Sequence, residues 1–263
     1  MTEISAAMVK QLRDATSAGM MDCKRALQET SGDFDAAVKL LREKGMASAA
    51  KRADRETTEG IVLTRVEGGT GAIVAVGCET EPVSKNDDFL AFAKTVLDTV
   101  FESGDEAAAE LDGQRVELGA RLGENIQIVG VRRLSAADGE TLADYVHPPA
   151  RKVGVLIEGK GSADVARQLA MHISFSRPTY SSREEVPTEL VDAEREILLG
   201  QEDIQSQPEE KRAMIVEGRL NKRFFGESVL GEQPWIHDDK LTVTKALNQG
   251  GFELVDYAWF SVG

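Results

Sequence analysis

The segment of this sequence most suggestive of chemistry is a run of glycines that ends in a lysine. Residues Gly154–Lys160 read G-V-L-I-E-G-K, which matches the phosphate-binding pattern G-x-x-x-x-G-K up to the lysine. A phosphate loop needs its four variable residues in a loop around the phosphate, and a Ser or Thr after the lysine to bind magnesium. Here the four residues favour a strand, and Gly161 follows Lys160. The run therefore predicts an ordinary strand and turn, with a nucleotide-binding enzyme built around Lys160 as the rival interpretation.

The titratable side chains do not form a pattern that is typical of catalysis. The three histidines, His147, His172 and His237, lack the partner four residues away that a zinc-protease helix requires. His172 lies in the run A-M-H-I-S, where we expect a packed helical residue. Cys78 follows a strand-like run, where a small buried hydrophobe is favoured over a nucleophile. The residues thus predict a protein without an enzyme active site, a metal site or a cofactor.

A short acidic segment, Thr80–Val83, separates a predicted strand from a predicted helix, and we call it the tip. The apolar run Gly71–Val76 ends just before it. Pro82 cannot donate to a strand ladder and restricts the backbone of Glu81, so the strand must stop here. Asn86 is a preferred residue type for capping the helix that follows. The segment is therefore predicted to be a stiff, acidic turn.

A second candidate for surface recognition lies near the N-terminus. Met20 and Met21 follow a glycine turn, with Lys10, Arg13 and Lys24 nearby. Adjacent helical positions cannot both point inward, so at least one methionine should be exposed. An exposed methionine among cations suits docking on a partner helix with acidic residues, and filling of a small core is the alternative.

Composition limits the function classes that the chain can belong to. The 263 residues are 41% hydrophobic, and 31 basic against 45 acidic residues give a net charge of −14. This balance argues against direct nucleic-acid binding, because such proteins concentrate Lys and Arg. Two distant cysteines without C-x-x-C spacing argue against a disulfide framework or a structural zinc site. Apolar runs stay short of a membrane span, and we expect a cytoplasmic protein.

The first 45 residues predict three short helices with a small common core. Ser5 and Asp33 are expected to cap the first and third helices, and the second runs from about Met20 to Glu29. The expected core positions are Val9, Leu12, Cys23, Ala26, Leu27, Ala37, Val38 and Leu41. A polar, flexible exit is expected at Lys44, Lys51, Arg52 and Arg55.

From Gly60 onward, strand patterns alternate with helical ones. Residues 61–66 and 72–76 predict a hairpin, and residues 125–134 and 153–158 predict two further strands. One helix should bury Phe89, Phe92, Ala93, Val96 and Val100, and another should bury Val165, Leu169 and Ile173. The repeated order of strand and helix suggests an internal duplication, which the pattern alone leaves open.

The region between Val186 and Phe225 predicts an antiparallel helical hairpin with the character of a coiled coil. Its expected seam is Val186, Leu190, Ala193, Ile197 and Ile204, with Ala213, Val216 and Leu220 on the return. The chain is then expected to close with a strand pair formed around Val229 and by Phe252–Val262.

These features together resemble bacterial elongation factor Ts. Leu12–Leu27, which reads LRDATSAGMMDCKRAL, is similar to the N-terminal signature of that family and departs from it at Ser17, where the family usually has glycine. Residues 32–45 continue the match, and CETEPVSKN at 78–86 resembles the second signature, C-[QE]-T-D-F-V-[AS]-K. The run GENIQI, the region HPPARKVGVLIEGKG and the run IVEGRLNKRFFGE extend the similarity over nearly the whole chain.

The resemblance implies an α+β fold with three parts. A ubiquitin-associated-like helical domain and linker would occupy 1–54, a core N-subdomain 55–140, and a related core C-subdomain 141–263 with a coiled-coil insertion at about 184–225. It implies a guanine-nucleotide exchange factor that binds elongation factor Tu·GDP and also its nucleotide-free form. Such a factor disturbs the magnesium and phosphate site of its partner and promotes GDP release during translation elongation. A scaffold that binds without causing exchange is the other alternative.

The resemblance also implies roles for individual residues. Thr80, Glu81, Pro82 and Val83 would form the wedge that dislocates the partner's magnesium, with Glu81-Pro82 in place of the usual Asp-Phe. Partner docking would fall to Lys10, Arg13, Met20, Met21, Lys24, His147, Ile236 and His237. Oligomeric state does not follow from the resemblance.

Overall fold

The computed structural model describes residues 4–16 and 18–263, and these form a mixed helical and stranded protein. The predicted α+β class is therefore confirmed. Ser17, where the sequence departs from the N-terminal signature, lies outside the described residues. Domain limits at 54 and 140 and the ubiquitin-associated-like character of the first part stay predictions.

Three N-terminal helices enclose a small apolar core: α1 (Ala6–Thr16), α2 (Met20–Glu29) and α3 (Phe34–Arg52). The Ser5 hydroxyl accepts the Met8 N–H at 3.3 Å, and the Asp33 carboxylate accepts the Ala36 N–H at 2.9 Å. Both predicted caps are thus confirmed. The core consists of Val9, Leu12, Cys23, Ala26, Leu27 and Ala37, with Val38 and Leu41 partly buried against them, as the periodicity predicts.

The predicted flexible exit after residue 44 is wrong for most of its length, because α3 continues to Arg52. Its second half packs against α6 (Asp112–Leu122). A Cβ atom on Gly45 would lie only 3.0 Å from the Ala120 Cβ, so glycine permits the close approach of the two helices. Arg52 Nη2 also donates to the Gly119 carbonyl at 3.2 Å. Tertiary contact with α6 therefore stabilises a segment whose own sequence looks like a linker.

The first sheet is antiparallel and has the order β1-β2-β3, with β1 at Glu59–Glu67, β2 at Thr70–Cys78 and β3 at Gln127–Ser135. A single helical turn, α4 (Glu81–Ser84), follows β2 and leads into α5 (Asp87–Ser103). The Asn86 side chain accepts the Asp88 N–H at 2.9 Å, which confirms the predicted cap. Helix α5 buries Phe89, Phe92, Ala93, Val96 and Val100 against this sheet, as expected.

The second sheet repeats this connectivity. Its order is β4-β5-β8, formed by β4 (Thr141–Val146), β5 (Val153–Lys160) and β8 (Glu253–Ser261). In both sheets a hairpin is followed by a helix, here α7 (Ala163–Ser176), and the third strand pairs antiparallel with the second. Common connectivity is what the predicted duplication requires, although the duplication itself stays a prediction.

The two sheets pack face to face, with α5 and α7 on the outside. The apolar side chains between them are Val62, Ile73, Ala75, Leu134, Leu156 and Val262. Alternation along each strand produces this arrangement, because Val155 and Ile157 point toward α7 while Leu156 points between the sheets.

The segment between α7 and β8 contains the helical hairpin, formed by α8 (Thr188–Leu199), the short α9 (Glu202–Gln205) and α10 (Glu209–Arg219). Helix α10 returns beside α8, where Arg195 Nε lies 2.9 Å from Glu217 Oε1. The predicted seam is wrong at Leu190, Ala193 and Ile197 on α8 and at Ala213 on α10, since all four are exposed. Val191 and Leu198, one residue further along, pack in the hairpin core. Both stripes are apolar and periodic, so only the position of α10 decides between them; a coiled coil stays a prediction.

The predicted strand around Val229 is also wrong. Val229 makes a single isolated bridge with Tyr180, and β8 pairs with β5 instead. Between α10 and β8 lie α11 (Gly226–Ser228), a two-stranded ribbon and the helix α12 (Val243–Gln249). The ribbon consists of β6 (Pro234–Trp235) and β7 (Asp238–Thr242). Within the described ranges, none of the helices has the length and apolar character that crossing a membrane requires.

Candidate protein-docking surfaces

The apparent phosphate-binding run is a buried strand. Val155–Glu158 lie inside β5, and the two flanking glycines are explained by packing. A Cβ on Gly154 would lie 2.5 Å from Val62 Cγ1, and one on Gly159 would lie 2.4 Å from Phe252 Cζ. Lys160 Nζ lies 3.6 Å from Glu253 Oε1 on the paired strand. The prediction of a strand and turn is confirmed.

The tip lies at the end of β2 and presents three of its four residues to solvent. Thr80, Glu81 and Pro82 are exposed, whereas Val83 packs against the core under α5. Pro82 is in the first turn of α4, where its missing N–H would have had no helical partner. The surface available to a partner is therefore one acid and one rigid apolar ring, with Thr80 beside them.

Glu81 carries a negative charge that is held in place by a neighbouring cation. Its Oε1 atom lies 2.6 Å from Lys85 Nζ, four residues along. This hydrogen bond and charge lower the pKa of the Glu81 carboxyl, with a smaller contribution from Lys152. The ion pair is exposed, so it contributes little to stability and is readily exchanged for another contact.

The base of the tip is fixed by a carboxylate from another segment. Glu124 Oε2 accepts the N–H groups of Glu79 and Thr80 at 3.0 and 3.1 Å, and its other oxygen accepts the Thr80 hydroxyl. In return, Glu79 Oε1 accepts the Asn125 N–H at 2.6 Å. Sequence reasoning gave these residues no role; the run GENIQI, which contains Glu124 and Asn125, was the available signal.

Cys78 lies directly beneath this base and is fully buried. Burial, together with the nearby Glu124 charge, raises the pKa of the Cys78 thiol to about 12. Its sulfur lies 3.4 Å from the Thr80 carbonyl, to which it donates. The thiol is neutral near pH 7, and the prediction of a small buried hydrophobe is confirmed.

His147 follows β4 in a loop at the same end of the molecule as the tip. Within this loop Lys152 Nζ lies 2.7 Å from Glu59 Oε1, and Glu59 pairs with Cys78 at the end of the β1–β2 hairpin. The His147 ring is exposed, with Nδ1 3.1 Å from the Tyr145 hydroxyl. The end of this loop therefore lies beside the strand end from which the tip projects.

Ile236 and His237 form the turn of the β6–β7 ribbon and are both exposed. The Ile236 N–H donates to Nδ1 of His172 at 3.4 Å. The buried Trp235 stacks on the same imidazole, with 5.1 Å between the ring centroids. His172 is fully buried, which confirms the expected packed residue, and burial lowers its pKa. A buried helix residue thus supports the exposed turn.

Comparison with known proteins places this fold in a family. Residues 79–263 match the family model described as Elongation factor TS, a range that begins at the base of the tip. The chain is 40% identical to Elongation factor Ts of Idiomarina loihiensis, over 99% of this chain and 91% of the relative. It is also 40% identical to that of Shewanella amazonensis, over 99% and 91%. Identity to the Haemophilus influenzae protein is 38%, over 100% and 92%. The chain belongs to the elongation factor Ts family.

The N-terminal signature that resembles elongation factor Ts falls on α1 and α2. Met20 and Met21 are 48% and 64% exposed, so both lie outside the core and the prediction of at least one exposed methionine is confirmed. Lys10 and Arg13 on α1 and Lys24 on α2 are exposed as well. The chain thus carries exposed candidates on these helices, at the tip, at His147 and in the Ile236–His237 turn.

Proposed function

We propose that this chain is a guanine-nucleotide exchange factor. It binds elongation factor Tu·GDP, disturbs the magnesium and phosphate site of that partner and promotes GDP release during translation elongation. Membership of the elongation factor Ts family supports the partner and the process. The observation that carries the mechanism is the tip, where an ionised Glu81 and the rigid Pro82 project from a hydrogen-bonded base.

The mechanism follows from linkage and requires no covalent step on this chain. A factor that binds the nucleotide-free partner more tightly than the GDP form must weaken GDP binding by the same ratio. Magnesium bridges the phosphates of a bound nucleotide, so displacing the loops around it removes much of the nucleotide's binding energy. A carboxylate presented at such a site competes with the existing ligands of the metal.

Docking and displacement fall to different residues in this proposal. Met20 and Met21 supply the apolar surface on α2, and Lys10, Arg13 and Lys24 surround it with positive charge. His147, Ile236 and His237 contact other domains of the partner. Once these contacts form, they hold the tip against the nucleotide-binding domain, where Thr80, Glu81, Pro82 and Val83 act.

The test is the rate of release of labelled GDP from elongation factor Tu, measured by stopped flow with and without this chain. We expect acceleration that saturates with the concentration of the chain, and negligible nucleotide binding by the chain alone. Binding without acceleration would identify a scaffold. Tight binding of nucleotide by the isolated chain, lost on Lys160→Ala, would favour the rival enzyme.

A further inference from the structure

The connection between β2 and α4 consists of only two residues, Glu79 and Thr80. Strand pairing of β2 ends at Cys78, and the helical turn begins at Glu81. The direction in which the tip projects therefore depends on what holds these two residues. Without further contacts, rotation about their backbone bonds would redirect Glu81 and Pro82 while the strand stayed in place.

Both backbone N–H groups of this connection donate to the same side chain. The Glu124 carboxylate accepts both backbone N–H groups and the Thr80 hydroxyl, which makes three hydrogen bonds to one charged group. Hydrogen bonds to an ionised acceptor are about twice as strong as neutral ones. The Thr80 hydroxyl is consequently directed to Glu124 and does not cap α4, although Thr80 occupies the cap position.

The end of α6 explains how Glu124 reaches this place. Gly123 ends the helix in the left-handed conformation, with φ of 77°, and turns the chain back toward β2. The next residue, Asn125, is buried and donates its side-chain N–H groups to the carbonyls of Ala53 and Arg55 at 3.2 and 2.8 Å. Its backbone N–H donates to Glu79. Asn125, directly after Glu124, thus anchors the segment through both its backbone and its side chain.

We propose that Glu124 is a positioning residue for nucleotide exchange: its carboxylate fixes the orientation in which the tip meets the partner. This inference rests on the proposed function and adds a residue outside the tip. Glu124 contacts neither nucleotide nor magnesium. It acts through the Glu79 and Thr80 backbone, so its loss leaves the docking surfaces intact and lets the tip adopt several orientations, of which few are productive.

Three variants test this role. Glu124→Ala removes all three hydrogen bonds. Glu124→Gln keeps one oxygen that can accept both N–H groups, and its amide can donate to the Thr80 oxygen, so it should restore the geometry without the charge. Glu117→Ala is the matched control, because it removes an exposed carboxylate from α6, seven positions away and outside this network.

Two measurements are made on the full-length variants: GDP release from elongation factor Tu as a function of factor concentration, and amide hydrogen exchange at residues 79 and 80. For Glu124→Ala we expect the release rate at saturation to fall on the order of tenfold, because misplacing a group by about 1 Å can cost up to a hundredfold in rate. Affinity for the nucleotide-free partner should change by less than about threefold, since the docking residues are untouched. The two amides should lose protection, Glu124→Gln should recover most of the rate and the protection, and Glu117→Ala should match the unmodified chain.

A purely structural role would lower thermal stability or affinity and leave the saturating release rate unchanged, and that result overturns the inference. It is also overturned if the amides at 79 and 80 keep their protection in Glu124→Ala. If the unmodified chain fails to accelerate release, the proposed function is wrong and the role of Glu124 in it falls too. The unmodified chain alone therefore tests the proposed function, and the variants test the role of Glu124 separately.

Discussion

At the scale of single residues, the two methionines at the start of α2 are exposed apolar groups of the N-terminal helices. The core of this module is complete without them, since it contains Val9, Leu12 and Leu27. Methionine is flexible and polarisable, so it adapts well to the surface of a partner. Because both side chains are exposed, replacing them can change affinity for the partner without changing the stability of the fold. Their role in docking can therefore be measured directly.

Replacing Met20 and Met21 together by Ala should weaken the complex with elongation factor Tu by on the order of 2 kcal/mol, as for interface anchors. Calorimetric titration of the nucleotide-free partner measures this change. The melting temperature of the variant should stay near that of the unmodified chain, because neither side chain is buried.

Met46→Ala provides the matched control, since Met46 is exposed on α3 outside the docking group. It should leave affinity unchanged. If the double variant binds as well as the unmodified chain, the docking surface lies elsewhere.

His172 is a second residue whose environment leads to a prediction. Its Nδ1 accepts the Ile236 N–H, so the ring proton of the neutral form lies on Nε2, 3.0 Å from Gln233 Oε1. Burial lowers the pKa of His172 below its ordinary value of 6.5. Protonation would place two N–H groups opposite each other and would displace Ile236.

The unfolded chain binds this proton more readily than the folded one, so stability should rise with pH in this range. The contribution of His172 should be complete above about 6.5, the ordinary pKa, and should be lost as the pH falls below it. Urea unfolding at several pH values between about 5 and 7.5 measures the slope. His172→Gln should flatten it, whereas His147→Gln, at an exposed position, should preserve it. An equal slope in all three proteins would contradict this account.

At the scale of elements, the tip is a one-turn helix whose position depends on its neighbours. Helix α4 is too short to be stable alone, and it persists because Val83 packs inward and Glu124 holds its base. An element of this kind can carry exposed groups that act on a partner without themselves contributing to the core.

Replacing Glu81 and Pro82 by Ala should slow GDP release by at least about tenfold at saturation, whereas affinity for the nucleotide-free partner should change far less. The difference arises because the tip acts in the strained complex that still contains GDP. Its contact with the partner there differs from its contact in the nucleotide-free complex. Stopped-flow measurement gives the GDP release rate of the variant, and equilibrium titration gives its affinity for the nucleotide-free partner. Pro82→Gly should produce part of the effect by loosening the backbone.

The opposite end of the same hairpin offers a matched control. Val66 and Glu67 are an exposed apolar–acid pair beside the β1–β2 turn. Their replacement by Ala should leave both measurements unchanged. If the Glu81/Pro82 variant keeps the full release rate, the tip is only a connection between β2 and α5, and exchange depends on the other contacts.

At the scale of the whole molecule, the two sheets form one packed body because glycine is found where their backbones approach. The Gly154 backbone lies against Val62 of the first sheet, which is fully buried. A packed interior has no room for an added methyl group unless a neighbour moves.

Gly154→Ala should therefore destabilise the protein by about 1–3 kcal/mol. Combining it with Val62→Ala, which makes room, should recover at least about 1 kcal/mol relative to the sum of the two single changes. Denaturant unfolding of the four proteins in this cycle measures the coupling. Gly113→Ala is the control, since a Cβ there would meet no atom within 4 Å. Strict additivity would show that the sheets do not approach as described.

Local patterns in the sequence were enough to predict most helices and strands, although not always the element that each one packs against or pairs with. Ser5, Asp33 and Asn86 cap helices through their own side chains, and these interactions are local in the chain. The seam of α8 could not be chosen, because Leu190 and Val191 begin two apolar stripes of equal period. The strand expected at Val229 failed for a related reason, since a strand exists only when a partner pairs with it.

Residue types and short-range patterns were enough to predict the α+β class, the family resemblance, the buried state of Cys78 and His172, and the stop of β2 before Pro82. Each of these depends on residue type and on neighbours within a turn or a strand. That Glu124 holds the tip follows from tertiary contacts alone, because Glu79 is far along the chain from Glu124 and Asn125 and is joined to them by hydrogen bonds between side chains and backbone. Tertiary packing likewise assigned Gly154 and Gly159 to close contacts with Val62 and Phe252, since the sequence shows which residues lack a side chain but not which atoms fill that space.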